Sequence, residues 1–316
     1  MKKNYKVIVI GLGALGSAAT YWLSRKIGGD VLGIEQFEIG HVNGGSQDHS
    51  RIIRLSYHTP GYVELAKSAY AAWHELEADA DEKLVIKTGG IDLSPANALI
   101  PIEDYTTSMD ACGVPYEMLD AKETMYRWPQ WKLTDDVRAL YQAEGGIAPA
   151  AKMMAAHLRM ARTHGAHLVD NAPVTAVNPI GDEIEIHAGG EVYRCEQLVI
   201  ASGAWSNNLL SNFGEKVNLT VTKEQVIYYD SPQMADFMPD RFPIWIWMDE
   251  PCYYGFPVFG ENGPKASQDA GGRETAAETR TFEPDVEMLE RIDNFMQRYL
   301  PTAYGRKILT KTCLYT

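Results

Sequence analysis

The chain has 316 residues, 45% hydrophobic and 22% charged, long enough to bury one large or two ordinary domain cores. Its 42 acidic residues outnumber 29 basic ones, for a formal net charge of −13 at pH 7, so the basic surface that a nucleic-acid or anionic-membrane binder needs is absent and neither partner is expected. The four cysteines (Cys112, Cys195, Cys252 and Cys313) form no CxxC pair, so no metal site is expected, and scattered thiols suit a reduced, cytoplasmic protein.

The first apolar run, "VIVI", is too short for a signal-peptide core or a membrane span. Preceded by Lys6, it predicts a buried parallel strand. Gly11, Gly13 and Gly16 follow, then a helical pattern from Ala14 to Lys26 closed by Gly28 and Gly29, then a second strand, "VLGIE". This is a strand–helix–strand unit carrying G-x-G-x-x-G in the required context. Gly11 permits the tight turn, Gly13 lets backbone approach a pyrophosphate, and Gly16 lets the helix pack closely on the strand. The helix N-terminus offers free N–H groups to the anion. Glu35, ending the second strand, is placed to accept hydrogen bonds from a ribose. The motif does not choose between NAD and FAD.

"GGSQDHSRIIRLSYH" comes next. Arg51 and Arg54 are three apart and share a face if the segment is helical. Such a pair holds a carboxylate bidentately or sits solvated on the surface. His49 and His58 flank it, in surface or structural positions. A helix is expected from Gly61 to about Ala78, with Val63, Ala66, Tyr70 and Trp73 as its buried stripe. Another runs from about Pro149 to His164. Residues 172–205 read as a strand and a meander turning at Gly181 and Gly189–Gly190, then a buried strand "QLVIASG".

Residues Val217 to Phe259 are aromatic and β-branched and look like sheet. Trp245 and Trp247 alternate onto one face, either as sheet core or as the wall of a pocket for an amine. Lys265 is a lone lysine in "GENGPKASQD". A last helix fits Asp285 to Tyr299, stopped near Pro301. With no internal repeat and no clear linker, two domains woven from alternating segments fit better than two in series.

Taken in order, these pieces resemble the flavin-dependent amine oxidases of the monomeric sarcosine oxidase and N-methyltryptophan oxidase family. The resemblance runs along essentially the whole chain. It rests on "GLGALG" with Glu35, "SRIIR" after "GGSQDH", "KTGGIDL" at 87–93, "RWP" at 127–129, "VIASGAW" at 199–205, "YYGFP" at 253–257 and "KTCLY" at 311–315. It implies an α/β (α+β) fold, with a Rossmann-like FAD-binding domain (1–86 and 148–217) interleaved with a substrate domain on a large mixed sheet (87–147 and 218–316). It also implies a monomer that oxidises a secondary amine of an N-alkyl amino acid. Hydride would pass to FAD, the imine would hydrolyse, and oxygen would be reduced to hydrogen peroxide.

Residue by residue, the resemblance puts Arg51 beside the flavin ring, Arg54 on the substrate carboxylate, Tyr254 in the substrate site and Lys265 at oxygen activation. Ser50, Val174, Gly203 and Trp205 would add cofactor contacts, and Cys313 would bond through sulfur to the flavin. Nearby Arg306, Lys307 and Lys311 suggest a lowered thiol pKa at Cys313, which such attachment favours.

Two departures stand out. Asp269 occupies the place of a family histidine lining the site, and a carboxylate there repels a substrate carboxylate and attracts an amine. The family also continues well past this cysteine, so a truncated chain with weaker FAD retention and poor turnover is expected. Other readings stay open: a related FAD oxidase or dehydrogenase on another amine, an impaired nucleotide-binding protein, or an NAD dehydrogenase, which would leave "KTCLY" unexplained.

Overall fold

The computed structural model describes residues 2–96 and 98–316. A six-stranded sheet is centred on Asn4–Ile10, which pairs in parallel with Val31–Ile34 on one side and with Glu191–Ile200 on the other. The helix Ala14–Ile27 connects the first two and packs on a second helix, Ala150–Thr163. Its partner strand His167–Val169 extends the parallel half. Val174–Ile180 and Glu183–Ala188 complete the meander, which turns at Gly181 and Gly189–Gly190, all at positive φ. Its last strand and the expected buried strand "QLVI" are one element, Glu191–Ile200. The first half pairs antiparallel with the meander and the second half runs parallel to the glycine-loop strand. Ile8, Leu32, Ile34 and Ile186 are fully buried along this sheet.

The second layer is a mixed nine-stranded sheet. Its strands pair antiparallel except for Ile244–Trp247 against Gly90–Ser94. Thr222–Asp230 is the hub, pairing with Lys265–Gln268, Arg273–Glu274 and the long strand Arg306–Tyr315. The helix Val286–Tyr299 lies against this sheet. Asp285 caps it by accepting from the Met288 N–H, and its Met288, Ile292, Phe295 and Met296 are buried. A small three-stranded sheet of Arg51–Ile53, Gly146–Ala148 and Ile86–Lys87 also stands in the fold.

The expected helices are present as Pro60–Ala80 and Ala150–Thr163. Leu76 extends the buried stripe of the first by one further turn. The sheet expected across Val217–Phe259 is interrupted by a 3₁₀ turn at Met234–Phe237. The aromatic stretch divides by strand alternation. Trp245, Trp247 and Tyr253 enter the sheet–helix core, where Trp245 stacks on Phe295 with ring centroids 5.5 Å apart. Tyr254 and Phe256 take the opposite faces and line a cavity. The tryptophan pair is therefore core, not pocket wall.

Candidate functional site

Two cavities matter. The first, about 480 Å³, lies over the C-terminal ends of the parallel strands and the start of the first helix. Gly11 (φ +89°) turns the chain there, and a Cβ on it would come within 2.6 Å of the Ala201 carbonyl oxygen. A Cβ on Gly16 would lie 1.7 Å from the Gly11 carbonyl oxygen, so helix and loop touch backbone to backbone. Gly11, Gly13, Glu35, Val174, Gly203 and Trp205 all face this cavity; Gly16 packs behind it.

Glu35 accepts from the backbone N–H groups of Leu12 (2.8 Å) and Phe37 (3.2 Å) and pairs with His41 at 3.3 Å. Burial pushes its carboxyl up, but these donors outweigh it and hold the group below the usual carboxylate range. The cradle of close-packed glycines and the ionised, anchored carboxylate fit a dinucleotide such as FAD.

The second cavity, about 390 Å³, is lined by Arg51, Arg54, Tyr57, Tyr105, Ile246, Tyr254, Phe256, Asp269 and Tyr315 among others. The two cavities share one strand: Leu314 faces the first and Tyr315 the second. Tyr254 OH and Tyr315 OH are 3.2 Å apart.

Arg51–Ile53 is a strand, so the helical spacing argument for the arginines does not apply. Both side chains reach the same cavity because the strand ends at Ile53 and the chain turns away. Neither is a solvated surface pair. Arg51 donates to the Ser50 carbonyl at 2.9 Å and the Gly45 carbonyl at 2.7 Å. Arg54 donates to Asp92 at 3.0 Å and lies 4.8 Å over the Tyr57 ring. Asp92 is 2% exposed. Burial raises its carboxyl, with Arg54 pulling the other way. Asp269 opens onto the cavity; desolvation raises its carboxyl too, against Arg54.

Lys265 lines neither cavity. It is 1% exposed, and its Nζ donates to Asp48 at 2.9 Å and to the Ser50 carbonyl at 3.0 Å. Desolvation depresses it to about 8, Asp48 opposing the fall. Ser50 is buried, and its hydroxyl has no hydrogen-bond partner among the described residues.

Cys313 is buried opposite Glu224 in the neighbouring strand. Its thiol is raised, not lowered: desolvation dominates, with Arg51 pulling it down. The basic neighbours expected to activate it spend their charge elsewhere. Arg306 pairs with Asp230, Lys307 with Asp293, and Lys311 with Asp48. The cations that do act on Cys313 are Arg51 and, more weakly, Lys265, both distant in sequence. All four cysteines are free thiols.

Three site residues escaped the sequence reading. Asp92 had a signal, an acid within an apolar strand run "GGIDL", which needs a buried partner. Tyr315 and Asp48 lay inside the quoted stretches "KTCLY" and "GGSQDH" but had no signal of their own, since only the folded chain brings them to the site. His49, by contrast, takes a structural place against Glu261 at 2.8 Å. No helix among the described residues is long and apolar enough to cross a membrane.

The model of a family described as FAD dependent oxidoreductase matches residues 6–315. A monomeric sarcosine oxidase of Streptomyces avermitilis is 34% identical over all of this chain and 83% of its own length. An N-methyl-L-tryptophan oxidase of Yersinia pestis is 28% identical over 99% of this chain and 83% of its own. Among solved structures, NikD, described as an unusual amino acid oxidase essential for nikkomycin biosynthesis, superposes with a TM-score of 0.87 at 23% identity. The match covers 99% of this chain and 82% of NikD, and shows a shared fold.

Proposed function

Because the chain belongs to the FAD-dependent oxidoreductase family and is an amino acid or amine oxidase of the sarcosine oxidase type, we propose that it oxidises the secondary amine of an N-alkyl amino acid and passes the electrons to oxygen, forming hydrogen peroxide. The observation that carries this reading is the strand Arg306–Tyr315, whose successive residues Leu314 and Tyr315 wall a dinucleotide cavity and an arginine-lined cavity, with Cys313 next to them on the same strand. We assign 1–86 and 148–217 to the cofactor domain and 87–147 and 218–316 to the substrate domain.

FAD, when bound, supplies the two-electron acceptor, and the protein supplies binding and orientation. Gly11 and Gly13 receive the pyrophosphate, Glu35 the ribose, and Ser50, Val174, Gly203 and Trp205 further parts of the cofactor. Arg54 binds the substrate carboxylate with donors that Asp92 leaves free. One Nη1 contact to Asp92 orients the guanidinium, which lines the cavity. Asp269 accepts from the amine end and disfavours a second carboxylate. Tyr254, tied to Tyr315, holds the substrate between these ends. Fixing both ends converts binding into orientation at the reacting C–H bond. Arg51 would keep positive charge in the substrate cavity, with Lys265 buried close enough to feel it. Arg51 also favours the Cys313 thiolate against the burial that raises it, and so supports a sulfur link to the flavin.

The test is to acid-precipitate the purified protein and its Cys313→Ser variant, then record spectrum and intact mass. Flavin retained only with Cys313 supports the link. Oxygen uptake with N-methyl amino acids, and none with primary amines alone, supports the substrate class. Flavin absent from the native protein would sink the reading.

A further inference from the structure

Lys265 is a buried cation, and a buried cation needs a counter-charge. Its carboxylate partner is Asp48, three residues before Arg51, held at φ +82°. A non-glycine residue at positive φ is strained unless its surroundings hold it there. Here they do. Asp48 Oδ2 accepts from Lys265 Nζ at 2.9 Å, Oδ1 accepts from Lys311 Nζ at 3.0 Å, and Tyr228 OH donates at 2.9 and 3.0 Å to the two oxygens. The carboxylate is 5% exposed. Lys311 is separately balanced by Glu261 at 3.4 Å, which also takes His49 at 2.8 Å. Around Lys265 stand Asp48, the Ser50 carbonyl, the Phe256 ring at 4.3 Å and the Tyr228 ring at 5.8 Å, with the charges of Arg51 and Cys313 also felt there.

We propose that Asp48 is a positioning residue for the oxidase reaction, the one carboxylate among the described residues that pairs with Lys265, fixing it in place and keeping it protonated, with Lys311 and Tyr228 holding Asp48 itself. This rests on the function proposed above only in what Lys265 then does. The coupling between Asp48 and Lys265 is a property of the chain alone. Because Lys311 shares the carboxylate, the two lysines compete for it, and the network predicts opposite responses. Removing Asp48 makes Lys265 easier to deprotonate. Removing Lys311 leaves Asp48 undivided and removes a like charge, which makes Lys265 harder to deprotonate.

The experiment titrates Lys265 directly, with lysine labelled at Cε and the resonance assigned by Lys265→Met. It is run on the purified protein and on Asp48→Asn, Asp48→Glu and Lys311→Met. Asp48→Asn should move the Lys265 midpoint down by more than about one pH unit, Lys311→Met should move it up, and Asp48→Glu should restore most of the native value. The pH profile of flavin reoxidation by oxygen should move with it in the same order. Tyr228→Phe keeps the test usable if Asp48→Asn does not fold: it too removes a donor that shares the Asp48 carboxylate, and should raise the midpoint by a smaller step than Lys311→Met. A Lys265 midpoint unmoved by Asp48→Asn, or moved in the same direction by both variants, overturns the proposal. If the midpoints move as expected but no oxygen is consumed, the coupling holds and the proposed reaction fails instead.

Discussion

The two cavities are built differently. The glycine-loop cavity is made by backbone: a turn at Gly11, a close contact at Gly16 and peptide N–H groups aimed at Glu35. Most of those pieces lie within 25 residues of one another in sequence, and their geometry tolerates little change. The arginine-lined cavity is made by side chains drawn from residues 51–57, 99–105, 246–256, 269 and 315. Its chemistry depends on which charges neutralise each other, Arg54 with Asp92 at the cavity and Lys265 with Asp48 buried outside it. A backbone site fails by steric collision, whereas a side-chain site fails by stranded charge.

The largest effect is expected in the backbone site. Gly16→Ala places a methyl 1.7 Å from a carbonyl oxygen that cannot rotate away, so helix and strand must part. The expected cost is about 4 kcal/mol, with loss of bound flavin, read by urea unfolding and by the visible spectrum. A variant that retains flavin and native stability would break the comparison.

In the side-chain site, Arg54→Met strands Asp92 and should cost about 3 kcal/mol. The double variant Arg54→Met/Asp92→Leu should regain most of that stability in urea unfolding while still failing to bind the substrate carboxylate. Recovery of both would show that Arg54 serves packing alone.

A smaller and pH-dependent effect sharpens the first region. His157 lies beneath the glycine-loop helix, stacked on Trp73 with ring centroids 5.1 Å apart and 3.5 Å from the Ser17 hydroxyl. Burial depresses its pKa from 6.5 to about 4. The unfolded chain therefore binds the proton first, so stability holds above pH 6.5 and falls as pH drops towards 4. His157's share of that loss is expected to be up to about 3 kcal/mol. Unfolding at pH 7 and pH 4.5 in native protein and His157→Gln checks it, since the variant should lack this share of the acid loss.

The legible parts of the molecule were those whose cause is local. "KVIVI", three spaced glycines and a capped helix declare a strand–turn–helix unit because the turn itself demands glycine, and Asp285 declares the start of the last helix by its cap. The aromatic stretch was half legible. Alternation separates Trp245 and Trp247 from Tyr254, but only the helix Val286–Tyr299, which covers one face, makes that side core and leaves the other to the cavity.

The electrostatics were not legible. Lys311 looked like an activator of Cys313, two residues away, yet its charge goes to Asp48, 263 residues away. Arg51 and Arg54 would share a face only in a helix, yet they meet in one cavity from a strand and the residue just after it. By itself the sequence determined the strand–helix periodicity, the nucleotide turn and the acidic balance, because these follow from backbone sterics and composition. Which cation meets which carboxylate was decided by the tertiary structure alone. Coulomb attraction acts across space, and burial then sets the protonation state of every group it encloses.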